Sequence, residues 1–280
     1  MTRQFLRFAA VLFALICTAT TVVNAAPTIT NLGNIPGGDQ TFGIALSGNG
    51  TTVVGSAENS LTVVGRAFRW TAGTGAQDIG PSDATLSSVA NGVNADGSVV
   101  VGSFGNLTSE ASRWTAATGA VGIGFLPGGT VSFANKVSAS GSVVVGLAYD
   151  DNGIHSIRWT AATGMQALPD PSGFGYSAGA TDVSADGSVI VGFNANKDGV
   201  LSADRAYRYT DAGGYQDLGV QPGFLRSVAS AVSGDGNTVV GFSQLDPAAF
   251  GTVTGVYRWT QSTGLVRCSS MMKPAPTRPR

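Results

Sequence analysis

Hydrophobic and polar residues alternate in short blocks along this chain, and one block returns five times. The copies read SGNGTTVVGS, NADGSVVVGS, SASGSVVVGL, SADGSVIVGF and SGDGNTVVGF, and they begin at residues 47, 94, 138, 184 and 233. Each copy places a glycine before an uninterrupted apolar run. The pattern predicts a tight hairpin turn at Asp186-Gly187, with positive φ at both central residues. A run without polar alternation is typical of a strand that is buried on both faces.

A second block alternates strictly with the first. Its copies read AFRWTAGTGAQDIG, ASRWTAATGAVGIG, SIRWTAATGMQALP, AYRYTDAGGYQDLG and VYRWTQSTGLVRCS, from residues 67, 111, 156, 206 and 256. The turn glycine precedes the glycine that ends the apolar run by five residues in every copy. From that second glycine to the repeated arginine, the distance varies between 11 and 17 residues. Constant spacing indicates a scaffold, whereas variable spacing indicates tolerant surface loops.

Each repeat unit of roughly 44 to 50 residues is interpreted as four short strands. In the fourth unit these are about Ala180 to Ser184, SVIVGF, AYRYT and GYQDLG. Helical periodicity is absent. Four antiparallel strands repeated at this period predict an all-β fold, a β-propeller of five four-stranded blades. A β-solenoid is the alternative, but its repeats are usually shorter. An unclosed array of small sheets is less favoured, because isolated blades bury too little apolar surface.

The first strand of the chain is predicted to complete the last blade. The segment ITNLG resembles a fourth strand, because Gly33 precedes the turn glycine Gly50 by 17 residues, as Gly80 precedes Gly97. We therefore expect closure of a five-bladed ring by pairing of this segment beside VYRWT. The alternative is that the chain is a shortened relative of a larger propeller.

Charge pairing supports that closure. If the second turn centres on Gly73-Thr74, Arg69 lies opposite Asp78, and Arg208 lies opposite Asp217. Opposite charges that face each other across two strands are favourable, and like charges are not. The same register would set Arg258 against Arg267, whereas the N-terminal strand would put Asn31 there.

The N-terminus resembles a secretory signal. Arg3 and Arg7 precede an apolar stretch, and Val23-Asn24-Ala25 provides small residues before a cleavage site. We predict a signal peptide at 1–25, a propeller domain at 26–267 and a disordered, basic, proline-containing tail at 268–280. After cleavage no segment is long and apolar enough to span a membrane. The expected location is secreted, either extracellular or periplasmic, in a bacterium.

Composition excludes several classes of function. The formal net charge of the chain is −1, which provides no electrostatic footprint for nucleic acid. Signal cleavage would leave Cys268 as the single cysteine, which excludes an internal disulfide and a cysteine-based zinc site. The turn aspartates offer one carboxylate each, too few for calcium. We predict no metal, no cofactor and a monomer.

The combined pattern A..VSADGSVVVG and A.RWT..TG...LG resembles the HAF repeat family of bacterial extracellular proteins. The resemblance covers Thr28 to about Val266 and rests on five copies of each block. It implies an exported or surface-associated repeat protein, and the family motif carries no catalytic residues.

Residues that recur in every unit are interpreted as scaffold. The arginines are expected to satisfy groups on neighbouring strands, and the aromatic residues are expected to form the core between blades. These positions are Arg69, Arg113, Arg158, Arg208 and Arg258, followed by Trp70, Trp114, Trp159, Tyr209 and Trp259.

The variable loops are the better candidates for function. The loop of the third unit contains Asp150, Asp151, Asn152 and the single histidine, His155. Two acids near a histidine can bind a metal or act as acid and base. Asp198 and Asp204 from the next loop could join them, and all six are binding candidates. No catalytic residue is assigned.

The sequence therefore predicts a secreted binding or structural module that contacts an extracellular protein or a glycan through its loops. The alternative is a glycan-active hydrolase or lyase that uses loop carboxylates. Two carboxyl groups about 5–10 Å apart across one pocket would favour the enzyme.

Overall fold

The structure is a computed structural model that describes residues 30–36, 38–58, 64–169, 177–195, 204–245 and 255–268. The predicted signal segment and the tail beyond Cys268 lie outside the described residues. The described residues form twenty β-strands and no helix.

The strands follow one another in five groups of four. The first sheet contains β1 (Gln40–Leu46), β2 (Thr52–Glu58), β3 (Gly65–Thr71) and β4 (Gly75–Asp78). The second contains β5 (Ser88–Val93), β6 (Val99–Gly105), β7 (Ser109–Thr115) and β8 (Gly119–Gly122). The third contains β9 (Val131–Val137), β10 (Val144–Asp150), β11 (Gly153–Thr160) and β12 (Gly164–Ala167). The fourth contains β13 (Ser177–Val183), β14 (Ile190–Ala195), β15 (Arg205–Thr210) and β16 (Gly214–Asp217). The fifth contains β17 (Arg226–Val232), β18 (Thr238–Gln244), β19 (Gly255–Thr260) and β20 (Gly264–Arg267).

Within each group the strands pair antiparallel in chain order. A parallel pairing of Ile154 with Ser177 joins the third and fourth groups at one point. The prediction of an all-β propeller with five four-stranded blades is confirmed. In the second, third and fourth blades the apolar run of the second strand is covered on both faces, as predicted; in β6 the five residues from Val99 to Ser103 are all buried. In the first and fifth blades that run is covered less completely, since Val53 is half-buried and Val240 is exposed.

The first turn of each blade differs from the predicted two-residue hairpin. In the fourth blade the amide of Gly187 donates to the carbonyl of Ser184 at 3.0 Å, and Ser184 donates to Val189 at 2.8 Å. The loop therefore has four residues, and Gly187, with φ +81°, follows the turn in the left-handed region. The need for glycine was predicted correctly, but the turn length was wrong. Asp186 is favoured because its carboxylate accepts hydrogen bonds from the hydroxyls of Ser184 and Ser188.

The second turn differs from its prediction as well, being longer by one residue. Thr71 pairs with Gly75, so the loop has three residues and ends on a glycine with φ +68°. Arg69 consequently lies opposite Gln77, and Arg208 lies opposite Gln216. The predicted pairings of these arginines with Asp78 and Asp217 are wrong by one position.

The fifth blade is completed by its own last strand, so the predicted closure is wrong. β20 pairs with β19, with Arg267 opposite Tyr257 and Val266 opposite Arg258. Because the longer turn shifts the register, the two arginines never face each other, and the expected repulsion does not arise. The described part of the N-terminal segment, 30–33, forms no strand.

The core lies between consecutive blades. One cluster joins Val54 and Ala67 of the first blade to Ala90 and Val100 of the second. Comparable clusters join each later blade to the next. Among the described strands, no comparable packing joins the fifth blade to the first.

A β-bulge occurs between the first and second strands of every blade. The extra residues are Ile44, Asn91, Asn135, Thr181 and Ser230. The side chains of Asn91 and Asn135 donate to the next blade, at the carbonyls of Ala134 and Ala180. The bulge therefore directs a polar side chain toward the following blade.

Candidate functional site: the loop face

The two ends of the blades differ in the length of their connections. The short glycine turns lie at one end. The described loops from second to third strands, 106–108 and 151–152, and the described connections from one blade to the next lie at the other end, called here the loop face. Residues 59–63, 170–176, 196–203 and 246–254 lie outside the described residues. Asp198, a predicted binding residue, lies in one of them.

Asp150 and His155 are brought together at the loop of the third blade. Asp150 Oδ1 lies 2.9 Å from His155 Nε2, and both side chains are 17% exposed. Burial raises the pKa of Asp150, but the amide of Asn152 and the imidazole of His155 outweigh it, so the net pKa is lowered. The amide of Asn152 donates to the same oxygen at 2.7 Å. Asp150 is thus the acceptor that holds a two-residue hairpin loop, while Asp151 and Asn152 are exposed.

Asp204 has a different partner. Its Oδ2 accepts a hydrogen bond of 3.2 Å from Arg226 Nη1, and the side chains are only 7% and 9% exposed. Burial raises the pKa of Asp204 more than the arginine lowers it. Asp204 Oδ1 and Arg226 Nε have no hydrogen-bond partner, nor have the side-chain oxygens of buried Asn194 and Gln221. Asp204 therefore forms a buried ion pair between the fourth and fifth blades.

Sequence reasoning did not identify Arg226 as the partner. In the sequence, both Arg226 and Asp204 depart from the repeat. At the position of Arg226 the earlier units have Gln40, Ser87, Val131 and Ser177, and at the position of Asp204 the other units have Gly65, Ser109, Ile154 and Thr254. An acid and a base that both break the repeat could have been singled out as unusual positions from the sequence.

A cleft of about 430 Å³ opens on the loop face between the first and second blades. Serine hydroxyls dominate its lining, and they are accompanied by one carboxylate and two phenylalanine rings. The residues that define it are Ser56, Glu58, Ser87, Ser103, Phe104 and Phe133. Hydroxyls and a carboxylate can exchange hydrogen bonds with a polyhydroxylated ligand, and aromatic rings can pack on its C–H faces. None of the six predicted binding residues lines this cleft.

Three of the five repeated arginines donate hydrogen bonds to the next blade. Arg69 Nε donates to the carbonyl of Gly97 at 3.1 Å, and Arg208 Nε donates to that of Gly236 at 3.3 Å. Arg158 donates to both carboxylate oxygens of Asp211 at 2.8 Å. These contacts fit the predicted scaffold role. Arg113 Nε is buried without a partner.

The repeated aromatic residues lie in the clusters between blades. Trp114, Trp159, Tyr209 and Trp259 each pack where their blade meets the preceding one. Trp70 belongs to the first blade and packs instead with Ile35 and Phe68. This placement fits the predicted core role.

Within the described ranges, no group of three or more His, Cys, Asp or Glu side chains could hold a metal ion. In the same part of the chain, no helix is long and apolar enough to cross a membrane.

No family model and no curated protein matches this chain. Among solved structures it is similar to TolB from Acinetobacter baumannii, with a TM-score of 0.55 and 14% identity over 80% of this chain and 55% of that one. It is also similar to a putative TolB from Agrobacterium tumefaciens, with a TM-score of 0.52 and 15% identity over 79% of this chain and 78% of that one.

A third similar structure is prolyl oligopeptidase B from Galerina marginata, with a TM-score of 0.52 and 11% identity over 79% of this chain and 33% of that one. The chain thus spans about half of the first TolB structure and a third of the peptidase. At these identities the likeness shows the fold, which is that of a β-propeller.

Proposed function

We propose that this protein is an exported binding module that holds a glycan in the loop-face cleft. The signal-like N-terminus and the resemblance to HAF repeat proteins support export to the periplasm or the cell exterior. The fold supports a rigid platform, because blades packed on one another hold the cleft walls in place.

The observation that carries the proposal is the lining of the cleft. Its walls combine hydroxyls, the Glu58 carboxylate and the rings of Phe104 and Phe133 within one concave surface. A sugar presents hydroxyls at its edges and apolar C–H groups on its faces, so it matches both parts of that lining. Nucleic acid fits poorly, because none of the lining residues is basic.

The enzyme alternative has weaker support. Two of its three candidate carboxylates on the described loops are already engaged, Asp150 by His155 and Asp204 by buried Arg226. A carboxylate that is held in this way positions a loop or a core and is not directed at a substrate. The third, Asp151, lies in an exposed turn. We therefore favour binding without turnover.

A glycan array probed with the mature chain, followed by calorimetry on each bound glycan, tests the proposal. Glu58→Gln should weaken binding at least about tenfold, because a carboxylate that accepts hydrogen bonds from a ligand contributes about 1.5–3 kcal/mol. Asp151→Asn removes a charge from an exposed turn on the same face and should leave the affinity unchanged.

If Asp151→Asn weakens binding and Glu58→Gln does not, the site lies at the turn of the third blade and the cleft is not the binding site. Absence of any glycan ligand would overturn the proposal as a whole. Release of new reducing ends or unsaturated sugars during incubation would support the hydrolase or lyase instead.

A further inference from the structure

The two ends of the row of blades expose side chains that the inner blades cover. We call the side of each blade that faces the next one its trailing face, and the side that faces the preceding one its leading face. Each trailing face in the first four blades packs on the leading face of the blade that follows. The trailing face of the fifth blade and the leading face of the first have no such partner among the described residues.

The trailing face of the fifth blade is open at the centre of its apolar surface. Val240 is 40% exposed, whereas the valines at the same repeat position are at most 1% exposed: Val54, Val101, Val145 and Val191. Val256 is 49% exposed, whereas its counterparts are at most 6% exposed: Ala67, Ala111, Ser156 and Ala206. Cys268 is also exposed, and its counterparts Ile79, Leu168 and Leu218 are buried.

On the leading face of the first blade, apolar side chains are likewise more exposed than their counterparts in later blades. Leu46 is 59% exposed, whereas Val137 and Val183 at the same position are 9% and 8% exposed. Val53 is half-buried, and its counterparts are fully covered: Val100, Val144, Ile190 and Val239. A terminal repeat that caps an array normally carries a polar outer surface, and neither of these faces does.

Within the described residues, the hydrogen bonds that join consecutive blades also stop at the fifth blade. The turn amides form a ladder from blade to blade, in which Ala95 donates to Ala139, Ala139 to Ala185, and Ala185 to Gly234. Among the described residues the ladder stops at Gly234. Arg258 donates to exposed Thr238 of its own blade at 3.4 Å, whereas Arg69 and Arg208 donate to the following blade.

Within the described part of the segment before β1, Ile35 does not lie over the leading face. Ile35 packs on Ala57 and Phe68 of the first blade. Leu126 packs at the matching place on the third blade, on Ala148 and Ile157, and the second blade still packs on that leading face. The surface around Leu46 is therefore open to a partner.

We propose that copies of this chain associate head to tail, with the trailing face of the fifth blade of one copy packed on the leading face of the first blade of the next. The partner is a second copy because that copy carries the surface that this type of face contacts four times within the chain. Such a heterologous contact forms a closed ring or an open chain of copies, according to the rotation between neighbours. The inference is independent of the glycan proposal.

Two single-face variants and their mixture test the association. Val240→Glu/Val256→Glu charges the trailing face, and Leu46→Glu charges the leading face. All three positions are exposed, so each variant should fold with an unchanged circular dichroism spectrum. Light scattering coupled to gel filtration should show concentration-dependent association of the wild-type chain, and each variant should associate at least about tenfold more weakly.

The mixture distinguishes head-to-tail packing from a symmetric contact. One variant retains a free leading face and the other a free trailing face, so equal amounts should form a dimer of one copy of each and no larger species. In that dimer Cys268 of the variant with the intact trailing face should react more slowly with a thiol reagent than in the variant alone. Val121→Glu, at an exposed valine of the second blade outside both faces (48% exposed), should behave as wild type.

A wild-type chain that stays monomeric across the dilution series would overturn the proposal. A mixture that fails to dimerise would also overturn it. If the wild type is monomeric and Leu46→Glu lowers its unfolding temperature sharply, the two faces meet within one molecule, which again contradicts association between copies.

Discussion

Two tyrosines occupy the same repeat position in adjacent blades. One residue of the preceding blade determines whether the buried hydroxyl has a hydrogen-bond partner. Tyr207 and Tyr257 are 1% and 0% exposed. The hydroxyl of Tyr207 donates to Ser156 at 2.8 Å, whereas that of Tyr257 has no partner, because Ala206 stands where the preceding blade would present a serine. Burial raises the pKa of both phenols, so both stay neutral donors near neutral pH.

Replacing each tyrosine with phenylalanine should therefore give different results. Tyr207→Phe should lower the free energy of unfolding by about 1 kcal/mol, since it breaks a satisfied hydrogen bond. Tyr257→Phe should be neutral or stabilising, because it removes a buried donor without a partner. Urea denaturation of both variants measures the difference, with Ala206→Ser as the reciprocal control that should stabilise the wild type. Equal losses in the two phenylalanine variants would contradict this assignment.

A second feature at the residue scale is a pair of charged residues that depart from the repeat. Asp204 and Arg226 are buried together although each stands where other blades have small, polar or apolar residues. Burying an ion pair is costly, and removing one partner leaves an unpaired buried charge. Their identity was readable from the sequence, but their contact was not, because it joins two blades through 22 residues of chain.

Among the elements, the first turn of each blade depends on a carboxylate or a substitute for it. Asp186 accepts hydrogen bonds from Ser184 and Ser188, which lower its pKa to about 2. In the first blade Asn49 accepts from Ser47 and Thr51 in the same way but does not titrate. The same geometry therefore exists in a pH-sensitive and a pH-insensitive form.

This difference predicts a pH-dependent stability for the fourth blade. The pKa of Asp186 is lower in the folded state than the ordinary value of 3.8, so its contribution is present above pH 3.8 and is lost as the pH falls toward about 2. Asp186→Ala should be less stable than wild type at neutral pH, and the deficit should vanish near pH 2. Asn49→Ala should show a deficit that does not change with pH. Denaturant midpoints measured between pH 2 and 7 test both, and a constant deficit for Asp186→Ala would refute the assignment.

The glycine that ends each apolar run is required by the bulge in the adjacent strand. A Cβ added at Gly192 would collide with the carbonyl oxygen of Gly179, a backbone atom that cannot move without disrupting the bulge. The same collision occurs in the other blades, at Gly55, Gly102, Gly146 and Gly241. Steric exclusion by the first strand therefore explains the repeated glycine.

Gly192→Ala should accordingly lower the free energy of unfolding by about 1–3 kcal/mol or more, as other cases of overpacking do. Gly73→Ala is the matched control, since a Cβ there meets no atom within 4 Å, and it should change stability by less than about 0.5 kcal/mol. Thermal and urea unfolding measure both. A tolerated alanine at position 192 would mean that the bulge can rearrange.

At the scale of the whole molecule, stability is distributed over four similar interfaces between blades. In such arrays each unit contacts its neighbours only, so the two terminal faces decide whether the array is complete. The exposure of Leu46, Val240 and Val256 shows that both ends retain surfaces of the interior type. The proposed head-to-tail association follows from this feature, and the experiments above test it.

The sequence by itself determined the number of blades, the order of their strands, the positions of the turn glycines and the aromatic core. Those features depend on local spacing, which repeats with little change. The register after the second turn of each blade was misjudged by one residue, because loop lengths of two and three residues are compatible with the same glycine pattern.

Only the tertiary structure decided which segment completes the fifth blade and that Arg226 pairs with Asp204. It also decided which faces of the terminal blades are exposed. Closure depends on long-range geometry, since the small rotation between successive blades accumulates over the whole array and leaves no mark on any single repeat. The loop-face cleft likewise combines residues from three blades, and none of them departs from an ordinary loop or strand composition when taken alone.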